Sequence, residues 1–220
     1  LMYQANNLPA ARRATDITHE VETLTGGMPD VSLRLHIMFA KLALIDKDEV
    51  AARKAVDDLV ALAQRGGVKN AIDWANAHRA QLMFRLADWY AFDEWVRSFQ
   101  LPEQPLFFPY RLRLILYVRH LTRQKAWDEG RRLLEKQARL AREAGYVEYE
   151  MELDIVRAIL EMEAGRSSES VQAITRALRI GAPNGYVRIF LDEGEAMKNM
   201  LSPVQKTMKD DTLRNYSADL

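Results

Sequence analysis

Residues 185–201 read GYVRIFLDEGEAMKNML, and this stretch decides how the whole chain is interpreted. A largely apolar run, 186–191, meets the acidic turn DEGE, and an amphipathic helical pattern follows it. The letters GYV occur twice, at positions 145–147 and again at 185–187. A junction that recurs at a fixed distance indicates a repeated unit, so we interpret the stretch as one position in an array.

Helical periodicity accounts for most of the chain. The predicted helices are 8–25, 31–45, 49–65, 72–89, 93–99, 110–123, 127–144, 147–164 and 168–180. No segment alternates with the period of two that is typical of a strand, so we predict an all-α fold. Since helix 8–25 has no partner before it, we expect the chain to begin in the middle of a repeat.

The spacing of the helix stops predicts the architecture. Stops fall at Gly26-Gly27, Gly66-Gly67, the proline loop 105–109, Gly145 and Gly185. A period of about 40 residues, built from antiparallel helix pairs, is typical of an α-solenoid, because one pair cannot bury its apolar face alone. A helical bundle with accidentally regular spacing is the alternative.

Composition narrows the class of protein. The 220 residues include 31 basic and 31 acidic side chains and no cysteine, so the formal net charge is zero and disulfides are excluded. A chain without a basic excess is a poor candidate for direct DNA binding. The N-terminus lacks the pattern of a secretory signal, and no apolar run is long enough to cross a bilayer. We therefore expect a soluble cytoplasmic protein with no membrane contact and no direct nucleic-acid contact.

Catalytic and metal-binding patterns are missing from the sequence. The four histidines, at 19, 36, 78 and 120, are too far apart to form a zinc-ligand motif. The segment Gly165-Arg166-Ser167 lacks the upstream glycine of a phosphate loop, since Leu160 stands at that position. We predict no enzyme activity, no metal site and no cofactor within these residues.

Polar and aromatic stripes at helical spacing predict a binding face instead. In helix-pair solenoids, the first helix of each pair lines the concave surface. The stripes are Arg34, Met38 and Lys41; Trp74, His78, Gln81 and Arg85; Arg113, Tyr117 and His120; and Glu150, Asp154, Arg157 and Glu161. Because members of the first two stripes lie one repeat period apart, we expect these stripes to stack side by side.

Such a groove has the groups needed to hold a sugar, a nucleotide-like metabolite or a peptide, because aromatic rings stack and guanidinium groups form planar hydrogen bonds. The predicted ligand or partner contacts are Arg34, Trp74, His78, Gln81, Arg85, Arg113, Tyr117, His120, Asp154 and Arg157. The alternative is a solvated face in which the few aromatic rings serve the core.

Charge is distributed unevenly between two neighbouring segments. Residues 111–142 contain ten basic and three acidic side chains, whereas residues 147–164 contain six acidic side chains and one arginine. Adjacent repeats can neutralise each other in this way, which is the interpretation we favour. The alternative is an electrostatic docking surface for another domain or for a second copy.

Four segments resemble one family. Residues 185–197, GYVRIFLDEGEAM, resemble the end of the helical-repeat sensor region of MalT-like, LuxR-type transcriptional regulators, the large ATP-dependent ones. Residues 6–11, NNLPAA, resemble a helix-starting turn of the same family. Residues 133–145 resemble its penultimate-pair helix, and residues 213–220 resemble the short helix before the linker to the DNA-binding domain.

The resemblance implies a tetratricopeptide-like repeat domain over residues 1–201 and a tail, 202–220, that leads to a DNA-binding domain absent here. It further implies a signal-sensing region that binds a small-molecule inducer or a regulatory protein. Through the regulator's own ATPase and helix-turn-helix domains, that signal would control oligomerisation and DNA binding. A free-standing tetratricopeptide-like interaction scaffold is the alternative, and assembly into a homo-oligomer is left open.

In this interpretation, residues 186–191 begin the final, incomplete repeat and pack on helix 168–180. A terminal repeat must shield an apolar face that would otherwise be exposed, so its sequence differs from the others. The acidic turn 192–195 then precedes a helix over 196–201, where carboxylates near the N-terminus are favourable.

Overall fold

The computed structural model describes residues 2–26, 28–98, 101, 108–207 and 210–220, without the side chains at 25, 108, 109 and 207. All regular structure in these residues is helical, which confirms the predicted all-α class. The helices are α1 (Leu8–Thr25), α2 (Pro29–Ile45), α3 (Glu49–Gly66), α4 (Lys69–Arg85), α5 (Trp89–Arg97), α6 (Phe108–Arg123), α7 (Trp127–Glu143), α8 (Val147–Glu163), α9 (Ser167–Asn184), α10 (Arg188–Leu191), α11 (Glu195–Thr207) and α12 (Asp211–Asp219). None of the helices described is long and apolar enough to cross a membrane.

The described residues form two compact units. Unit A comprises residues 8–98, 101 and 108–116, and unit B comprises residues 2–7, 117–207 and 210–220. Within unit A, each of the helices α1 to α4 packs on the next one along the chain. Within unit B, α7, α8 and α9 pack in the same sequential manner, α11 packs on α8 and α9, and α12 packs on α9 and α11. Packing between sequence neighbours is the arrangement expected of a helix-pair solenoid.

The turns between helices repeat one backbone motif. A residue with positive φ ends the helix, and the next backbone N–H donates to the carbonyl oxygen five residues earlier, as in a Schellman turn. The residues with positive φ at these turns are Lys47, Ala87, Lys125, Gly145, Gly165 and Gly185. The matching hydrogen bonds, all 2.8–3.1 Å long, are donated by Asp48, Asp88, Ala126, Tyr146, Arg166 and Tyr186. The turns at 47 and 87, at 125 and 165, and at 145 and 185 are each separated by one predicted period, which confirms that period.

The predicted boundary between α4 and α5 is wrong. The sequence pattern extends one helix to residue 89 and starts the next at 93, but α4 ends at Arg85 and α5 begins at Trp89. The turn is made by Ala87, whose φ is 56°, and by Asp88, whose carboxylate accepts from the backbone N–H of Ala91. Alanine favours helices and gives no turn signal, so the sequence alone did not reveal this turn.

The predicted end of α9 is also wrong. The helix begins at Ser167 and continues past Ile180 to Asn184. Gly181 therefore lies inside the helix and does not end it. A Cβ at this position would come within 2.7 Å of the Phe190 ring, so only glycine fits there without a shift of that ring. This glycine permits close packing, and Gly185 ends the helix.

Residues 186–191 pack on α9, as predicted. Residues 188–191 form the short helix α10, and Phe190 is completely buried against residues of α9 and α11 such as Ile174 and Met200. Helix α11 starts at Glu195 and runs to Thr207, so it crosses residue 201, where the domain boundary is predicted. The role of the tail as a connection to a DNA-binding domain stays a prediction.

An N-terminal segment, residues 2–7, packs on α10 in unit B. The carbonyl oxygen of Gln4 accepts hydrogen bonds from the backbone N–H groups of Val187 and Arg188, at 2.7 and 2.9 Å. The Tyr3 hydroxyl donates to the Asp192 carboxylate at 2.8 Å, and the Arg188 guanidinium lies over the Tyr3 ring. Residues far apart in sequence therefore share one cluster of backbone and side-chain hydrogen bonds.

Candidate ligand-binding face

Two of the predicted stripes come together on α2 and α4 of unit A. Lys41 of α2 and three residues of α4, His78, Gln81 and Arg85, line one small pocket of about 30 Å³. The other described residues that line it are aliphatic, and none of them is acidic. The volume suits one water molecule or the tip of a ligand, such as a single hydroxyl or carboxylate oxygen.

His78 is the central polar group of this pocket. One ring nitrogen, Nδ1, lies 3.3 Å from the side-chain oxygen of Gln81. Burial of the ring, together with the nearby Lys41 ammonium, lowers the pKa of His78 to about 3. The imidazole is therefore neutral at pH 7, and it can both donate and accept a hydrogen bond.

Trp74 forms the next part of the same face. Its indole meets the His78 ring edge-on, with the ring centroids 4.8 Å apart and an interplanar angle of 88°. Trp74 is half-buried and also packs against the α2–α3–α4 core that contains Leu59. Arg34, the predicted neighbour of Trp74 in the first stripe, is exposed.

Arg113 is held within the helix packing of unit A. Its guanidinium forms an ion pair with Asp73 of α4 at 2.9 Å and lies over the ring of Tyr110. The Arg113 residue is only 7% exposed, so it joins α6 to α4. Its role as a ligand contact stays a prediction.

Tyr117 and His120 belong to unit B. The Tyr117 hydroxyl lies 3.4 Å from the Glu129 carboxylate of α7, and the rings of Tyr117 and His120 stack with centroids 6.3 Å apart. Partial burial raises the pKa of Tyr117, and the nearby Glu129 carboxylate adds to this effect. The phenol is therefore protonated at neutral pH and acts as a donor.

Two carboxylates of the acidic stripe on α8 form ion pairs with arginines of neighbouring helices. Asp154 accepts three hydrogen bonds from Arg176 of α9, at 2.6–3.1 Å. Glu161, only 4% exposed, accepts from Arg131 of α7 at 3.0 and 3.1 Å. Arg157, the remaining predicted contact on this helix, is half-buried. These two carboxylates pair with neighbouring helices, as expected if adjacent repeats neutralise each other's charge.

An open cleft of about 480 Å³ between α1, α2 and α3 of unit A was not predicted from the sequence. Phe39, Leu42, Ala43, Ala51 and Ala55 supply its apolar surface. Its polar side chains are Arg12, Asp16, His19, His36, Asp46, Asp48, Lys54 and Asp58. A search for polar stripes on every helix could have found it, since 12, 16 and 19 follow helical spacing on α1.

The structure shows no candidate metal site in the part of the chain that it describes. No three histidine, aspartate or glutamate side chains come close enough there to hold a metal ion.

A family model described as "MalT-like TPR region" matches residues 1–207. A search among curated proteins gives no match.

Proposed function

Because the chain belongs to the family of MalT-like TPR regions, we propose that it is the signal-receiving part of a LuxR-type transcriptional regulator. In this proposal an inducer or a regulatory protein binds the polar face of α2 and α4. The bound signal is relayed to an ATPase switch domain and a helix-turn-helix domain, which control oligomerisation and DNA binding. Helical repeat regions of this kind are typically non-catalytic, which agrees with a receiving role.

The observation that carries the proposal is the convergence of four polar side chains around one pocket. Lys41, His78, Gln81 and Arg85 come from two helices and line the same 30 Å³ space, with Trp74 beside it. A few fixed polar groups next to apolar and aromatic surface are typical of small-molecule sites. The neighbouring aromatic edge and the two cations suit a ligand that offers a ring and an acceptor oxygen.

The family assignment of function is tested by the DNA on both sides of the coding segment. A regulator of this type has a nucleotide-binding module encoded upstream and a helix-turn-helix encoded shortly after residue 220. A stop codon close to that position, with no nucleotide-binding module upstream, would instead favour the alternative, a free-standing tetratricopeptide-like scaffold.

The binding face is tested by a thermal-shift screen of the purified chain. The library contains oligosaccharides, nucleotides and short peptides, and the test variant carries Lys41→Met and Arg85→Met together. The control variant carries Arg65→Met and Lys69→Met, which remove two exposed cations from neighbouring helix ends. A compound that raises the melting temperature of the wild type and control, but not of the test variant, supports the proposal. If every stabilising compound acts equally on all three proteins, the site is elsewhere.

A further inference from the structure

The cleft between α1, α2 and α3 lies on a different face of α2 from the pocket around His78. At about 480 Å³ it is in the size range of small-molecule sites, whereas the pocket around His78 is too small to enclose a whole ligand. The two spaces share no lining residue, because α2 contributes His36, Phe39 and Leu42 to the cleft and Lys41 to the pocket.

An aromatic cluster forms part of the cleft surface. Phe39 is half-buried, and the His19 ring meets it edge-on at a centroid distance of 5.5 Å. His36 lies on the other side of Phe39, with the ring centroids 6.4 Å apart. The rest of the apolar surface comes from small and aliphatic side chains such as Ala43 and Ala51. This surface can bind the hydrocarbon part of a ligand, and an exposed aromatic face attracts a cation.

The charged rim favours a cation over an anion. Four aspartates line the cleft, against the two fixed cations Arg12 and Lys54. Burial lowers the pKa of His36, so this imidazole is neutral at pH 7 and adds no positive charge. The excess of carboxylates makes the local potential negative, although the chain as a whole is neutral.

The rim ion pairs are weak enough to rearrange around a ligand. Arg12 pairs with Asp46 at 2.7 Å, and Lys54 pairs with Asp58 at 2.6 Å. All four side chains are more than a third exposed, and ion pairs between exposed groups contribute little free energy. Asp16 differs from these, because it is exposed and forms no side-chain hydrogen bond or ion pair with the described residues.

We propose that this cleft binds a small organic amine, whose ammonium group pairs with Asp16 and whose hydrocarbon part packs on Phe39. The proposal is independent of the signal-receiving role, since it involves neither the pocket around His78 nor any of its lining residues.

The test titrates the 220-residue chain with two probes of similar shape and opposite charge, 2-phenylethylamine and 3-phenylpropionate. Amide chemical shifts in two-dimensional NMR spectra report both the affinity and the location of binding. We expect saturable shifts from the amine in residues of α1, α2 and α3 that line the cleft. We also expect the amine to bind at least about tenfold more tightly than the acid, the ratio that a single favourable charge contact can supply.

Two charge-reversal variants distinguish the effect of a carboxylate in the cleft from the effect of the net charge of the chain. Asp16→Lys should weaken amine binding by about tenfold or more. Asp57→Lys reverses another exposed aspartate, on α3, that does not line the cleft, so binding should change less than about twofold. Phe39→Leu keeps an apolar side chain and should weaken binding by removing the ring.

Four results would overturn the proposal. The first two are absence of saturable amine binding to the wild-type chain and equal binding of the two probes. The others are an amine affinity that is the same in the Asp16→Lys and Asp57→Lys variants, and chemical-shift changes that lie outside the cleft. Circular dichroism spectra confirm that each variant is folded before its titration is interpreted.

Discussion

Phe190 is the side chain that fixes α10 to the rest of unit B. Its ring is completely buried with residues of α8, α9 and α11, and it meets the Tyr216 ring edge-on at 6.1 Å. A buried aromatic ring contributes more free energy than any neighbouring hydrogen bond, because of the apolar area it removes from water. The four-residue helix α10 is too short to be stable on its own, so it depends on this contact.

Phe190→Ala should lower the free energy of unfolding by about 3–5 kcal/mol, the usual cost of deleting a buried aromatic side chain. Urea denaturation followed by circular dichroism measures the change. Val147→Ala is the control, because Val147 is an exposed residue of the same unit and its truncation should change stability by less than about 0.5 kcal/mol. If Phe190→Ala leaves the midpoint of the urea transition unchanged, the ring has no stabilising role.

His78 should make stability depend on pH. Its pKa is about 3 in the folded chain and 6.5 as a model value, so the unfolded chain binds more protons between these two pH values. The free energy of unfolding should therefore fall as the pH is lowered from 6.5, by about 1–2 kcal/mol at pH 5. Burial is the main cause of this shift in pKa, the Lys41 ammonium adds to it, and the contact with Gln81 opposes it in part.

Denaturation at pH 7 and pH 5 measures this effect by comparison of two variants. His78→Gln should lose the His78 contribution to the pH dependence, whereas His19→Gln, at an exposed position on α1, should retain it. The same loss of stability at pH 5 in both variants would show that His78 is not the group responsible.

Gly181 lowers the stability of α9 as an isolated helix but is required by the packing of α9 against its neighbours. A glycine inside a helix is usually less stable than alanine by about 1 kcal/mol. In α9, however, a Cβ at this position would lie 2.7 Å from the Phe190 ring and 2.8 Å from the Tyr216 hydroxyl. The space between α9, α10 and α12 therefore requires glycine, and packing overrides helix propensity.

Gly181→Ala should destabilise the chain by about 1–3 kcal/mol, because the rings of Phe190 and Tyr216 must shift. Gly66→Ala is a matched control at the end of α3, where a Cβ meets no atom within 4 Å. That change should be neutral or should stabilise by up to about 1 kcal/mol. Thermal unfolding of both variants measures the difference, and equal melting temperatures would contradict the packing argument.

Helix boundaries were predictable only where the local sequence and the packing agree. The ends at Thr25 and Ile45 carry clear local signals, a glycine at 26 and an Asp-Lys-Asp turn at 46–48, and the predicted ends match the structure. At Ala87 a helix-favouring residue makes a turn, and at Gly181 a helix-breaking residue lies inside a helix. At Gly181 contacts with α10 and α12 decide the conformation, and a single sequence does not contain that information.

The N-terminal segment shows a long-range feature of unit B. Residues 2–7 bind α10 through the carbonyl oxygen of Gln4 and the side chain of Tyr3, which is 4% exposed. In a repeat array most contacts join neighbouring repeats, so the sequence pattern gave no reason to expect this one. The same holds for the cleft in unit A, since three helices with unremarkable stripes create it together. By contrast, the spacing of Lys41 and Gln81 by one repeat period was sufficient to predict that they lie close to one another.

Tyr3→Ala should speed hydrogen exchange at the backbone amides of Val187 and Arg188, which donate to Gln4. We expect an increase of about tenfold or more, equivalent to a loss of about 1.4 kcal/mol of local stability. Met2→Ala alters an exposed neighbour in the same segment and should leave both rates unchanged. Equal exchange rates in the two variants would show that the Tyr3 side chain does not hold the segment in place.

Because the same turn recurs, one repeat period begins and ends with the same backbone conformation. The turns at Lys125 and Gly165 share positive φ values and the same backbone hydrogen bond, and together they bound a cassette of one period that contains α7 and α8. If this cassette were duplicated, the two copies would be joined by the same type of turn that already joins the helices of the chain. Residues 126–165 are therefore the natural segment for lengthening or shortening this array by recombination.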